Sequence, residues 1–221
     1  MHTPIDLRLN AIVDPERAGD RDLAELARLC AEGGATLIQL RDKVSETRAM
    51  VAAARAIKQA LVPLGVPFVV NDRVDVALAA KADGVHLGPD DMAIEDARAI
   101  LGPGAIIGAS IKSVEAAEAL PVALVDYVGS GGVYATLSKQ QKSAPIGPQG
   151  LGRIIVALHR RVPGLPVAGI AGIDAGNAAA VVAAGAGGVA VISALSLAPD
   201  PAAAARALRG IVDAALAKRG G

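Results

Sequence analysis

The feature that most narrows what this chain can fold into is a rhythm. Short runs rich in β-branched residues alternate eight times with longer Ala-rich segments whose apolar residues recur at helical spacing. The runs predict strands near Leu7 to Val13, Thr36 to Leu40, Val66 to Val70, Gly84 to Leu87, Ala105 to Ala109, Tyr127 to Gly129, Pro166 to Ile170 and Val189 to Ile192. Helices fit between and after them, over Asp20 to Glu32, Ser45 to Leu64, Arg73 to Lys81, Ile94 to Leu101, Ser113 to Leu120, Gln149 to Arg161, Asp174 to Ala184 and Pro201 to Lys218. A strand that is apolar throughout has to be covered on both faces, and a helical crossover lets it pair in parallel with the next strand. Eight such units predict an α/β architecture, a single-domain (β/α)8 TIM barrel over residues 1–221 with a short N-terminal tail.

Composition limits how that barrel packs and what it meets. Trp is absent and Phe68, Tyr127 and Tyr134 are the only aromatic residues, so the core rests on Ala, Val, Leu and Ile. Lys plus Arg equals Asp plus Glu at 22 each, which gives no overall field to draw nucleic acid or an anionic membrane. Cys30 is the only cysteine, which excludes an internal disulfide and suits a reducing cytoplasm. Its neighbours Leu23, Leu26 and Ala27 mark it as a small buried hydrophobe. The opening residues read as a tail running into a strand, without a basic and apolar leader. Ala175 to Pro199 carries no charge and is long enough to span a bilayer, but Gly185, Gly187 and Gly188 divide it into a helix and a strand. No membrane partner is expected, and no oligomeric state is implied.

In a barrel of this kind the reacting groups gather where the strands end, because those ends and the loops after them form one rim. Position therefore filters the polar residues. Gln39, Arg41 and Lys43 alternate after the second strand and suit an anionic, oxygen-rich ligand, unless they are loop charges paired with Asp42 and Glu46. Asn71 and Asp72 follow the third strand, and Asp90 and Asp91 follow the fourth. Each could instead be a helix cap. Bare carboxylates would repel a diphosphate, since like charges at ~4 Å and an effective dielectric of ~20 interact by about 4 kcal/mol. A Mg2+ held by Asp72 and Asp91 reverses that sign.

His86 can point inward, although a hydrogen-bonded structural histidine is the plainer reading; His2 and His159 belong to no polar cluster. Ser110, after the fifth strand, can donate to a ligand. The long segment after the sixth strand, with Lys139 and Lys142, can cover a phosphate or can be a solvated loop. Gly169 and Gly172 on the seventh strand's loop, with Ile192 and Ser193 after the eighth, suit a backbone phosphate site, or relieve packing at a barrel corner.

Taken in order, QLRDK, NDRVDVALAAKADGVHLGPDD, GAS, GGVYATLSK, GIAGI and GVAVIS resemble the thiamine phosphate synthase family along nearly the whole chain. The resemblance implies a transferase that joins hydroxymethylpyrimidine diphosphate to a thiazole phosphate and releases pyrophosphate. It implies that Gln39, Arg41, Lys43 and Asn71 meet the diphosphate substrate, that Asp72 and Asp91 hold Mg2+, that Ser110 touches the pyrimidine and that Lys139 binds its diphosphate. Arg41, Lys43 and Lys139 would stabilise the leaving group. Thr136, Ser138, Gly172, Ile192 and Ser193 would approach the thiazole phosphate. Ala135 stands where the family has proline, Ser138 where it has threonine, Gly132 where proline is common, and Ala171 where the first glycine of a pair is usual. The alternatives are the related thiazole tautomerase, which needs no diphosphate or metal apparatus, and a noncatalytic phosphate-ligand sensor on the same barrel.

Overall fold

In the computed structural model, which describes residues 5–136 and 144–220, eight parallel strands close on themselves in chain order. They are β1 (Leu9–Val13), β2 (Leu37–Leu40), β3 (Phe68–Asn71), β4 (Gly84–Leu87), β5 (Ile106–Ile111), β6 (Tyr127–Gly131), β7 (Val167–Ile170) and β8 (Gly188–Val191). The ring is sealed between first and last strands, with Leu9 opposite Val189 and Ala11 opposite Val191. Around it run α1 (Leu23–Glu32), α2 (Thr47–Leu61), α3 (Val74–Ala80), α4 (Ile94–Leu101), α5 (Val114–Ala119), α6 (Gly147–Arg161), α7 (Ala178–Ala183), α8 (Ser193–Ser196) and α9 (Pro201–Gly220). The observed architecture is the expected (β/α)8 barrel.

The period of two along each strand separates two apolar sets. Leu9, Ala11, Val13, Phe68 and Val70 belong to the large cluster under the helices, while Ile12, Leu37, Val69, Tyr127, Ala168 and Ala190 form a second cluster. The second set fills the barrel interior, so the centre is a packed plug. Further along the same inward rows the residues turn polar, at Gln39, Asn71, His86 and Ser110, and these line a cavity.

Local chemistry sets several helix ends. Asp22 caps α1 by accepting from the Glu25 amide at 2.9 Å, and Ser113 caps α5 by accepting from the Ala116 amide at 3.1 Å. Several expected boundaries shift. The second helix ends at Leu61 and gives way to a 3-10 turn over Val62–Leu64, where Pro63 has no amide hydrogen to continue the ladder. The seventh helix starts at Ala178 because the residues before it are tied into a turn: Gly176 N donates to Asp174 Oδ1 at 2.8 Å and Asn177 Nδ2 donates to Gly172 O at 2.8 Å. The four-residue α8 is an element the sequence pattern does not announce. The uncharged stretch from 175 to 199 is thus divided among α7, β8 and α8, and no described helix is long and apolar enough to cross a membrane.

Candidate functional site

A cavity of about 400 Å³ opens where the strands end. A larger groove of about 810 Å³ lies near the opposite ends, beside Val66, Pro67 and Ala82, and its Lys58 is already paired with Asp83. The chemistry gathers in the smaller cavity. Gln39, Arg41 and Lys43 reach it from the second strand and loop, Asn71 and Asp72 from the third, Asp91 from the fourth and Ser110 from the fifth. Thr136, Gly172, Ile192 and Ser193 line its other side. Ser138, Lys139 and Lys142 lie outside the described residues.

The charged residues are not paired as loop neighbours. Arg41 Nη1 pairs with Asp14 Oδ2, and that carboxylate is fully buried at the end of β1. Asp42 does not meet either cation's role, because its Oδ1 accepts from the Val44 and Ser45 amides at 3.0 and 2.9 Å. Lys43 Nζ pairs with Asp72 Oδ2 across two loops. The reading of Arg41 and Lys43 as ordinary charges balanced by Asp42 and Glu46 therefore fails. So does the helix-cap reading of the acids. Neither α3 nor α4 has a side-chain cap; Asp91 Oδ2 instead accepts from the Gly88 amide at 2.7 Å.

Asp72 and Asp91 face each other within hydrogen-bonding reach. Burial, and then the Asp91 carboxyl beside it, hold the Asp72 carboxyl above the usual range, against the pull of Lys43. Two carboxylates so placed need a proton or a cation between them. Asp72 also adopts a left-handed backbone, φ 64°, which for a residue with a side chain marks a position set by its surroundings. Among the described residues, no group of three or more His, Cys, Asp or Glu side chains gathers at metal-ligand spacing. A pair of oxygen donors that leaves the remaining positions to water and phosphate fits a hard cation such as Mg2+ better than a zinc-type cage.

The far side of the cavity is built from backbone. Ala171 and Gly172 both have positive φ, 83° and 63°. Tyr134 N donates to Ala171 O at 3.1 Å and Val133 N to Ile170 O at 2.9 Å, so the chain after β6 lies along the loop after β7. A Cβ at position 172 would stand 2.2 Å from Ala135 O. Glycine is therefore required there by the neighbouring loop as well as by its φ. Opposite, α8 starts at Ser193 with no side chain capping its N-terminus, and Ser193 and Ala194 line the cavity.

The floor is polar and ordered. Asn10 Nδ2 donates to Gln39 Oε1 at 3.4 Å, and Gln39 Nε2 donates to Asn71 Oδ1 at 2.8 Å. His86 is a hydrogen-bonded residue pointing inward, with Nδ1 3.0 Å from the Tyr127 hydroxyl and Nε2 2.8 Å from Ser110 Oγ. The sequence reading passes over Asp14, Tyr127 and the cavity-lining Lys112. Asp14 and Lys112 each follow the last residue of a strand, so the rim rule could have found both. Tyr127 sits at the start of its strand, where that rule does not look.

Comparison with known proteins agrees with this geometry. The family model described as Thiamine monophosphate synthase matches residues 9–195. The thiamine-phosphate synthase of Agrobacterium fabrum is 49% identical over 97% of this chain and 98% of its own length. That of Azorhizobium caulinodans is 46% identical over 96% and 98%. The solved structure of a thiamine phosphate pyrophosphorylase from Pyrococcus furiosus superposes with a TM-score of 0.84 at 40% identity, covering 96% of this chain and 98% of that one.

Proposed function

Because the chain belongs to the thiamine monophosphate synthase family, we propose that the rim cavity binds hydroxymethylpyrimidine diphosphate beside a thiazole phosphate and joins them into thiamine phosphate and pyrophosphate. The observation that carries this reading is the facing pair Asp72 and Asp91 with Lys43 against them. A tautomerase or a passive phosphate sensor has no use for a two-carboxylate cation seat.

Among the described residues, three cationic side chains, Arg41, Lys43 and Lys112, and three acidic ones, Asp72, Asp90 and Asp91, line the cavity. Arg41 is further neutralised by Asp14. Unaided, these side chains offer a diphosphate no net attraction. Mg2+ seated between Asp72 and Asp91 would supply the missing positive charge and a Lewis acid for the diphosphate oxygens.

The rest of the chemistry falls to the chain. Arg41, braced by Asp14, presents a planar fork to the diphosphate, and Lys43 a point charge. With Lys139, they stabilise charge that accumulates on the leaving pyrophosphate as the bond to the pyrimidine methylene ionises. Gln39, Asn71 and Ser110 hold the pyrimidine. Thr136, Ser138, Gly172, Ile192 and Ser193 hold the thiazole phosphate so that its ring nitrogen faces the methylene, an orientation contribution on the order of several kcal/mol. No side chain need act as a general base. The single buried thiol and small soluble substrates favour the cytoplasm as the compartment.

The test is product formation. Purified chain with both substrates and Mg2+ should release pyrophosphate and thiamine phosphate in equal amounts. Asp91→Asn should lower turnover by about a hundredfold or more while the thermal midpoint stays close to wild type, since a rim carboxylate contributes little to the core. Full activity in that variant at limiting Mg2+ removes the metal role.

A further inference from the structure

Beneath Ser110 the barrel interior contains a hydrogen-bond chain whose inner members, His86 and Tyr127, have no role in the reading above. Tyr127 is fully buried, His86 is 5% exposed, and Ser110 lies above them on the cavity wall. The chain is built in. A Cβ at Gly108 would stand 2.1 Å from Tyr127 Cζ and 2.5 Å from His86 Nδ1, so the absence of a side chain there is what lets the two rings meet, with centroids 5.4 Å apart.

The direction of the chain follows from burial. Among the described residues, the partner within reach of the Tyr127 hydroxyl is His86 Nδ1. Burial, and then the charge of Asp126, hold that phenol's pKa above its ordinary value, so it keeps its proton. A buried O–H without an acceptor forfeits its hydration uncompensated, whereas the Ser110 hydroxyl, on the cavity wall, finds water or ligand. The favoured arrangement therefore has Tyr127 donating to Nδ1, and the imidazole proton on Nε2 donating to Ser110 Oγ at 2.8 Å. In an imidazolium both nitrogens donate, so Nε2 donates to Ser110 in either protonation state. With its oxygen occupied as an acceptor, Ser110 turns its own O–H toward the cavity.

We propose that Tyr127 and His86 are positioning residues that fix the Ser110 hydroxyl as a hydrogen-bond donor, and that the site thereby selects a heteroaromatic ring presenting an acceptor nitrogen at that wall. The inference rests on the reading of this cavity as the pyrimidine site and goes beyond it by assigning the polarity of the contact and the residues that set it. A ring carrying C–H at that edge would leave the donor unmatched, and a site built around a hydrogen bond rejects such an analogue.

The experiment compares kcat/KM for hydroxymethylpyrimidine diphosphate with that for its two deaza analogues, in each of which one ring nitrogen is replaced by C–H. Wild-type enzyme should disfavour one of the two by about tenfold or more. Tyr127→Phe frees Nδ1, lets the ring carry its proton on either nitrogen, and should shrink that ratio by about three- to tenfold. KM for the thiazole phosphate should not move. Ser110→Ala should shrink the ratio similarly, and adding Tyr127→Phe to it should change the ratio no further. The ratio is measured within the folded population, so partial loss of stability does not affect it. Wild-type enzyme that makes no thiamine phosphate overturns the proposed function. Wild-type enzyme that turns over but treats both analogues like substrate, or whose ratio survives Tyr127→Phe, overturns the relay alone.

Discussion

Neighbouring residues 171 and 172 should respond to reciprocal substitutions with opposite signs. Ala171 sits at φ 83°, a backbone region in which a side chain costs roughly 1–2 kcal/mol. Ala171→Gly removes that cost but frees the unfolded chain, which offsets about 0.4–1 kcal/mol. The net expectation is stabilisation by about 0.5–1 kcal/mol. For a chain of this size each kcal/mol moves the midpoint by about 2–4 °C, so calorimetry should show a rise of about 1–4 °C. Gly172→Ala imposes the same backbone cost at φ 63° and puts a Cβ 2.2 Å from Ala135 O. Moving the loop away stretches the 3.1 Å bond from Tyr134 N to Ala171 O. Overpacking of this kind adds about 1–3 kcal/mol and the stiffer unfolded chain offsets about 0.4–1 kcal/mol, so the midpoint should fall by at least about 2 °C. A fall in the midpoint of Ala171→Gly, or an unchanged midpoint in Gly172→Ala, would refute the claim that backbone conformation and loop contact govern this corner.

Asp14→Ala should destabilise by about 2–3 kcal/mol in denaturant titration, below the full cost of breaking a buried pair because Arg41 can draw water from the cavity. The same variant should raise KM for the diphosphate, and an unchanged KM would show that Arg41 needs no brace. Cys30 is buried and its thiol is pushed up to about 12 by that burial, so iodoacetamide at pH 8 should label it only in the unfolded protein. Rapid labelling of the native chain would contradict the packing of α1. Lys139→Ala should weaken use of the diphosphate with little effect on the thermal midpoint, and unchanged kinetics with that substrate would remove Lys139 from the site.

Legibility differed by residue. Gln39, Arg41, Asn71, Asp72, Asp91 and Ser110 could be picked out in advance because each lies at or just beyond the end of a strand and barrel closure sends all such ends to one rim. Asp14 obeys the same rule but is followed by Pro15, Glu16 and Arg17, so in sequence it reads as ordinary loop charge. The 3-10 turn at Val62–Leu64 was hidden because its apolar residues continue the periodicity of α2, and only Pro63 hints at the break. The short α8 was hidden by an uncharged stretch in which helix and strand look alike.

By itself the sequence determined the count and order of strands, the two-sided cover of the sheet and the set of polar residues at the rim, because these depend on periodicities of two and 3.6 along a continuous chain. Tertiary structure alone decided which charges meet. Arg41 meets Asp14, Lys43 meets Asp72, and His86 joins Tyr127 to Ser110, over separations of 24 to 41 positions. Those pairings arise from the inward geometry of a closed ring, where residues on different strands share a level and converge on one axis, and no spacing along a single strand encodes that convergence.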